Sequence, residues 1–307
     1  MASDPAGNAR AIPIVDAHQH FWDLANNYYP WLCDPVPVPF RYGDYAALRR
    51  NYLPPNYQRD STGFRVVKTV HMEAEWDRAN PVAETRWIER ISREYGFPSA
   101  CIGHADPGRH DIDEVLAGHA TSPLVRGIRH KPQAARAPRD AKRGAPGSMD
   151  DPAWRRGYAL LERFGLSYDL QTPWWHLDAA ADLAADFPCT RIIVNHTGLP
   201  ADRSPEGLAD WRRALETIAG RPNAAIKISG LGRAGQPWTV TANGPVIRDA
   251  ISIFGVDRCM FASNYPVDRL AGTFEAIYDG FFASVAERPV ADQRKLFHDN
   301  AVRLYRL

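Results

Sequence analysis

Two histidines, His18 and His20, stand two residues apart at the end of the apolar run Ile14-Val15-Asp16-Ala17-His18-Gln19-His20. Side chains alternate faces along a strand, so both imidazoles point one way, roughly 7 Å apart along the chain. That geometry can place two ring nitrogens on one metal ion. His71, His104, His130 and His196 also fall near the ends of predicted strands, and His176 lies just beyond another. A third imidazole from His196 makes a set that suits zinc, which in catalytic sites commonly takes three protein ligands and a water. A metal so held lowers the pKa of its water and polarises a carbonyl. The structural alternative is a set of core histidines with satisfied hydrogen bonds.

Other side chains fall at strand ends too. Arg129 closes the predicted fourth strand. It is either a bidentate clamp for a substrate carboxylate or carbonyl, or the partner of a barrel carboxylate. Lys227, on the seventh, is an ion-pair lysine or an electrophile at the mouth. Glu73 follows His71 by two residues and shares its face, which makes it a base, a partner orienting a histidine, or a rim carboxylate. Gln171 and Trp175 are candidates for the substrate pocket.

Eight apolar, β-branched runs alternate with helical periodicity. The predicted strands cover about 12–18, 65–72, 99–104, 125–129, 166–171, 191–196, 225–229 and 259–263. Helices are expected near 44–52 with Asp44 as cap, from Asn80-Pro81 to Gly96, and near 111–120. Others run from Asp151-Pro152 to Gly165 and over 177–186, 205–219 and 244–254, with two more at the end. This alternation argues for a single-domain (β/α)8 TIM barrel, whose active-site residues come from the C-terminal ends of strands. An open doubly wound sheet is the alternative. The Gly-rich loop that would favour it is absent after the first strand, where His-Gln-His-Phe-Trp stands instead. Residues 131–150 are rich in Pro, Ala, Gly, Arg and Lys and follow the fourth strand. They read as a loop over the mouth, either simply solvated or a lid with an anion-attracting rim.

The chain of 307 residues carries a net charge of +1 and no long basic stripe, which argues against a nucleic-acid partner. Cys33, Cys101, Cys189 and Cys259 show no CxxC spacing, which suits a reducing cytoplasm. The polar residues 1–10 read as a disordered tail, and no stretch approaches a membrane span. A small-molecule substrate is expected, and a homo-oligomer stays open.

Taken in order, four motifs resemble the amidohydrolase superfamily: Asp16-Ala17-His18-Gln19-His20, Asn195-His196-Thr197-Gly198, Phe261-Ala262-Ser263-Asn264-Tyr265-Pro266 and Asn300-Ala301-Val302-Arg303-Leu304-Tyr305. With Tyr29-Pro30-Trp31-Leu32 added, the chain is most similar to the amidohydrolase 2 branch of TIM-barrel hydrolases, which includes sugar-acid and pyrone-dicarboxylate lactonases. The resemblance implies a hydrolytic site at the barrel mouth, with His18 and His20 as the first-strand pair and His196 touching metal or substrate. It also implies an Asp at the end of the eighth strand as the base that activates water. Here Asn264 stands in that place and cannot accept the proton; it is left to orient the water or bind substrate, with Asp268 four residues on as a substitute. Arg129 cannot bridge two metals, since it stays protonated, so one divalent ion, zinc, or none is expected. The resulting expectation is a hydrolase opening a carboxylate-bearing lactone of a sugar acid or an aromatic-degradation intermediate. Its rivals are an aromatic-acid decarboxylase and a non-catalytic binding protein on a degenerate barrel.

Overall fold

The computed structural model describes residues 11–307, so the tail expected at 1–10 lies outside the described residues. Runs that are apolar throughout, rather than alternating, become strands buried on both faces. They are β1 Ile14–Gln19, β2 Val66–Met72, β3 Ala100–His104, β4 Val125–His130, β5 Ser167–Leu170, β6 Ile192–Val194, β7 Ala224–Ile228 and β8 Cys259–Phe261. All neighbours pair in parallel in sequence order, from β1 through β8. The ring closes where Gln19 bridges Tyr265 in parallel, with Asn264 N donating to His18 O and His20 N to Tyr265 O, both at 2.8 Å. This is the expected (β/α)8 barrel.

A helix follows each strand: α1 Pro54–Asp60, α2 Pro81–Tyr95, α3 Ile112–Ala120, α4 Pro152–Arg163, α5 Leu177–Asp186, α6 Pro205–Ala219, α7 Val240–Phe254 and α8 Phe274–Val285. Several begin with proline after a capping residue. Asp151, for example, accepts from Ala153 N at 2.8 Å. Three expectations change. The helix near 44–52 is only a single 3-10 turn, Ala46–Leu48, although Asp44 does accept from Ala46 N at 2.8 Å. The α1 helix, which starts at Pro54-Pro55, has no counterpart among the expected elements. The α7 helix begins at Val240, behind the side-chain cap of Thr239, four residues before the expected start.

Inside the barrel, Val15, Val70, Ile102, Ile193 and Met260 pack together with Leu304 and Tyr305 of the C-terminal segment. Polar groups cross this lumen. Lys227 Nζ lies 2.6 Å from Asp169 Oδ1, both fully buried, and the Tyr305 hydroxyl donates to the same carboxylate oxygen at 2.8 Å. Among the described residues, no helix is long and apolar enough to cross a membrane.

Candidate active site

The register of β1 against β2 shifts between Asp16 and Gln19. Asp16 accepts from Ser263 N at 2.8 Å and from the Tyr57 hydroxyl of α1 at 2.7 Å. His18 and His20 instead join the imidazole cluster: their Nε2 atoms are 3.2 Å apart, and the His18 ring centre is 4.7 Å from that of His196. The three imidazoles expected to converge therefore do gather.

Strained backbone delivers the other two members. His196 and Thr197, just after β6, take φ of 54° and 53°, and Asn264, just after β8, takes 53°. Left-handed conformations of this kind are uncommon outside glycine and persist only where surrounding structure enforces them. His196 Nδ1 is 2.9 Å from Ser229 Oγ. Gly230, at φ 62°, leaves room for that ring: a Cβ there would lie 2.5 Å from His196 Nδ1 and 2.7 Å from Arg41 Nη2.

Asn264 joins the cluster through Oδ1, 3.3 Å from His20 Nε2, while its Nδ2 donates to Asp268 Oδ1 at 2.6 Å. Asp268 also accepts from the Tyr42 hydroxyl at 2.7 Å and faces Arg41 at 3.8 Å. Burial raises its carboxyl, and Arg41 and Tyr42 hold part of that rise back. Asp268 thus braces Asn264 from behind, and it does not line the reaction pocket.

Arg129 is fixed on three sides. Nε donates to Glu73 Oε1 at 2.6 Å, Nη2 to Glu73 O at 2.5 Å and Nη1 to Gln171 Oε1 at 3.3 Å. Burial pushes the Glu73 carboxyl up, but Arg129 and then Arg78 outweigh it and hold it well below the usual carboxylate range. Such a carboxylate is a counter-ion, and the expectation of a base at Glu73 is revised accordingly. Nor does Glu73 share a face with His71, whose Nε2 turns outward to Glu84 of α2 at 3.2 Å. Glu73 sits past the end of β2, where strand alternation no longer applies.

Lys227 takes its ion-pair reading rather than that of an electrophile at the mouth. It lies in the lumen against Asp169, with Nζ also 3.5 Å from His18 Nδ1. Burial draws it down to about 8, even against the opposing pull of Asp169. Trp175 lines a neighbouring cavity rather than the reaction pocket, its Nε1 donating to Ala135 O at 3.0 Å.

The pocket itself is a cavity of about 320 Å³ lined by His20, Arg41, Arg129, Gln171, His196 and Asn264, with Trp31, Phe40, Leu199 and Val267 as its apolar wall. Lys131 and Glu75 pair with each other at its rim, so the 131–150 segment does begin at the mouth. Arg41 and Phe40 went unforeseen. They lie in the long connection after β1, where only the cation and aromatic of Phe40-Arg41-Tyr42 among prolines hint at a pocket. Burial holds the His18, His20 and His196 imidazoles well below their ordinary range. Lys227 adds to this at His18, Arg129 at His20, and Arg41 with Arg129 at His196. All three rings are therefore neutral at physiological pH.

The donor set meets some of the requirements of a metal ion and misses others. The 3.2 Å between the His18 and His20 nitrogens does match two ligands each about 2.0–2.1 Å from one tetrahedral ion. His20 Nδ1 also faces Met72 O at 2.8 Å, the outward partner a ligating histidine needs. His18 Nδ1, however, faces the Lys227 amine instead of an acceptor. The place of a charged ligand is taken by Asn264, and the nearby cations Arg41, Arg129 and Lys227 each face a carboxylate, Asp268, Glu73 and Asp169 in turn. Among the described residues, no group of three or more His, Cys, Asp or Glu side chains is arranged to hold an ion. Of the metal set expected from His18, His20 and His196, the rings assemble and His20 has the outward acceptor a ligand needs, while His18 faces an amine.

A closed parallel barrel with its polar cluster at the C-terminal mouth has the layout of a barrel enzyme. The chain belongs to the amidohydrolase family, whose sequence pattern it matches over residues 15–307. It is 40% identical to the protein y4mH of Sinorhizobium fredii, over 96% of this chain and 99% of that one. It is 28% identical to an L-fucono-1,5-lactonase of Burkholderia ambifaria, over 85% of this chain and 82% of the relative. A solved amidohydrolase from Burkholderia multivorans with bound zinc shares the fold, with a TM-score of 0.80 at 24% identity, covering 96% of this chain and 99% of that one.

Proposed function

We propose that the protein hydrolyses the ring ester of a small, carboxylate-bearing lactone, of the sugar-acid or aromatic-degradation kind. The observation that carries this reading is the pairing at the mouth of neutral imidazoles with immobilised guanidinium. His20 and His196 can accept a proton, and Arg129 and Arg41 can receive an anion. The similarity to L-fucono-1,5-lactonases supports the choice of ester.

Because His20 Nδ1 donates to Met72 O, its Nε2 carries the lone pair, which faces His18 Nε2 at 3.2 Å with Asn264 Oδ1 beside it at 3.3 Å. A water bonded to Asn264 Oδ1 sits beside that base. As its oxygen bonds to the lactone carbonyl carbon, its proton passes to an imidazole nitrogen. Arg129 and Arg41 stabilise the oxyanion. When the tetrahedral adduct collapses, the ring C–O bond breaks and the departing alkoxide takes the proton back from imidazolium. The substrate carboxylate has a second role. Burial leads the fall in imidazole basicity, and the substrate's charge offsets only the guanidinium share of it.

The two expectations, one zinc ion or none, both stand, and no step above runs through a metal. The test is initial-rate hydrolysis over a panel of sugar-acid and pyrone lactones, with and without carboxylates, before and after dialysis against a chelator, alongside metal content. Turnover that survives the chelator supports the metal-free step above, and turnover lost with a bound ion supports a single divalent metal. The reading is overturned if no lactone is opened. Carbon dioxide release from hydroxybenzoates would favour the decarboxylase, and ligand binding without turnover the non-catalytic barrel.

A further inference from the structure

Beside the reaction pocket lies a second cavity of about 480 Å³, sharing Arg41 and Leu199 with it as a common wall. Four arginines line it, each from a different connection: Arg41 after β1, Arg136 after β4, Arg203 after β6 and Arg233 after β7. No Asp or Glu is among the lining residues. Trp175, Pro173 and Pro200 supply an apolar face.

Arg203 is the telling member. Its Nε and Nη1 are buried and have no hydrogen-bond partner among the described residues. Burial draws it down to about 10, and Arg233 beside it adds to the fall. A buried guanidinium is normally paired, because leaving a charged donor unsatisfied is costly. The smaller cavity lined by Arg78, Arg109 and His130 is built differently: it contains Asp106, 3.4 Å from His130. No carboxylate lines the arginine-rich cavity; of its four arginines, Arg41 faces one from behind the wall, Asp268 at 3.8 Å. Fork-shaped guanidinium donors suit the oxygens of carboxylate or phosphate.

We propose that this cavity is a subsite for a second anionic group, a carboxylate or phosphate at the end of the substrate remote from the ester, received by Arg203 and Arg233. The substrate class is thereby narrowed to lactones with at least two separated anionic positions, one read by Arg129 and one here. This narrowing rests on the lactone reading, but the subsite itself does not, since a binding measurement tests it without turnover.

The test is calorimetric titration of the full chain with three probes of similar length: butyrate, glutarate and 4-phosphonobutyrate. Wild-type protein should bind the doubly anionic probes at least tenfold more tightly than butyrate. In both Arg203→Gln and Arg233→Gln, checked for folding by circular dichroism, that preference should shrink at least fivefold. The stronger of the two doubly anionic probes assigns the group as carboxylate or phosphate. Equal binding of all three by wild-type protein overturns the proposal whether or not the variants fold. So does a preference that survives in folded variants, because the second anion would then sit elsewhere. Failure of every lactone to turn over, with the preference intact, would sink the proposed reaction and leave the subsite standing.

Discussion

Replacing Arg129 with Met removes one half of a buried pair in which Arg129 is 4% and Glu73 1% exposed. The loss is not one contact but the isolation of a carboxylate that burial already penalises. Breaking such a pair from one side costs roughly 3–5 kcal/mol. Arg78, 3.4 Å from Glu73 Oε2 and 41% exposed, remains as a partly solvated partner, which places the cost near the lower end. At about 2 °C per kcal/mol for a chain of this length, Tm should fall by roughly 6 °C. The double replacement Glu73→Met, Arg129→Met removes both charges and should recover most of that loss, to within about 1–2 kcal/mol of wild type. Activity should part company with stability: neither variant should turn over a carboxylate-bearing lactone at a rate near wild type, because the clamp is gone from both. Urea unfolding followed by circular dichroism, with rates measured on the same samples, reads both quantities. If the single variant loses less than about 1 kcal/mol, or the double loses the full sum, the bracing argument fails.

Asn264→Asp restores the carboxylate common in the family, yet places it against Asp268 at the 2.6 Å now bridged by an amide hydrogen. Two carboxylates so close cannot both ionise, so kcat should fall at least about tenfold; a gain would show that Asn264 is a damaged base rather than a water holder. With His18, His20 and His196 held well below the ordinary imidazole value of 6.5, kcat/KM should stay flat from about pH 6.5 to 8 and decline only in more acidic solution, as the bases become protonated. An acid limb centred at 6.5 or above contradicts the burial argument. Gly230→Ala drives a methyl into His196 Nδ1 and Arg41, so activity should drop about a hundredfold at a stability cost of roughly 1–3 kcal/mol; wild-type rates would mean that His196 need not be held where it is.

The barrel was legible because parallel strands buried on both faces leave continuous apolar runs, and because Asn80-Pro81 and Asp151-Pro152 mark helix starts locally. The Pro-Pro start of α1 was not, since its helical role depends on Tyr57 packing down onto Asp16. At the site, His18, His20, His196 and Asn264 could be read from strand ends, where direction is set by the barrel. Periodicity misled at Glu73, which lies beyond its strand and answers to Arg129. Lys227 could be read either way, and only tertiary packing against Asp169 decides between them. Arg41 and Arg203 act from loops whose paths no local pattern encodes.

The seam between the first and last strands has a kinetic consequence. His18 and Asn264 are joined backbone to backbone across nearly the whole sequence, and the pocket is assembled on that join. A chain that has formed seven of its staves would own almost every helix and most of its burial, yet no reaction centre. During refolding, recovered turnover should therefore trail the recovery of secondary structure, timing the moment at which the ring shuts.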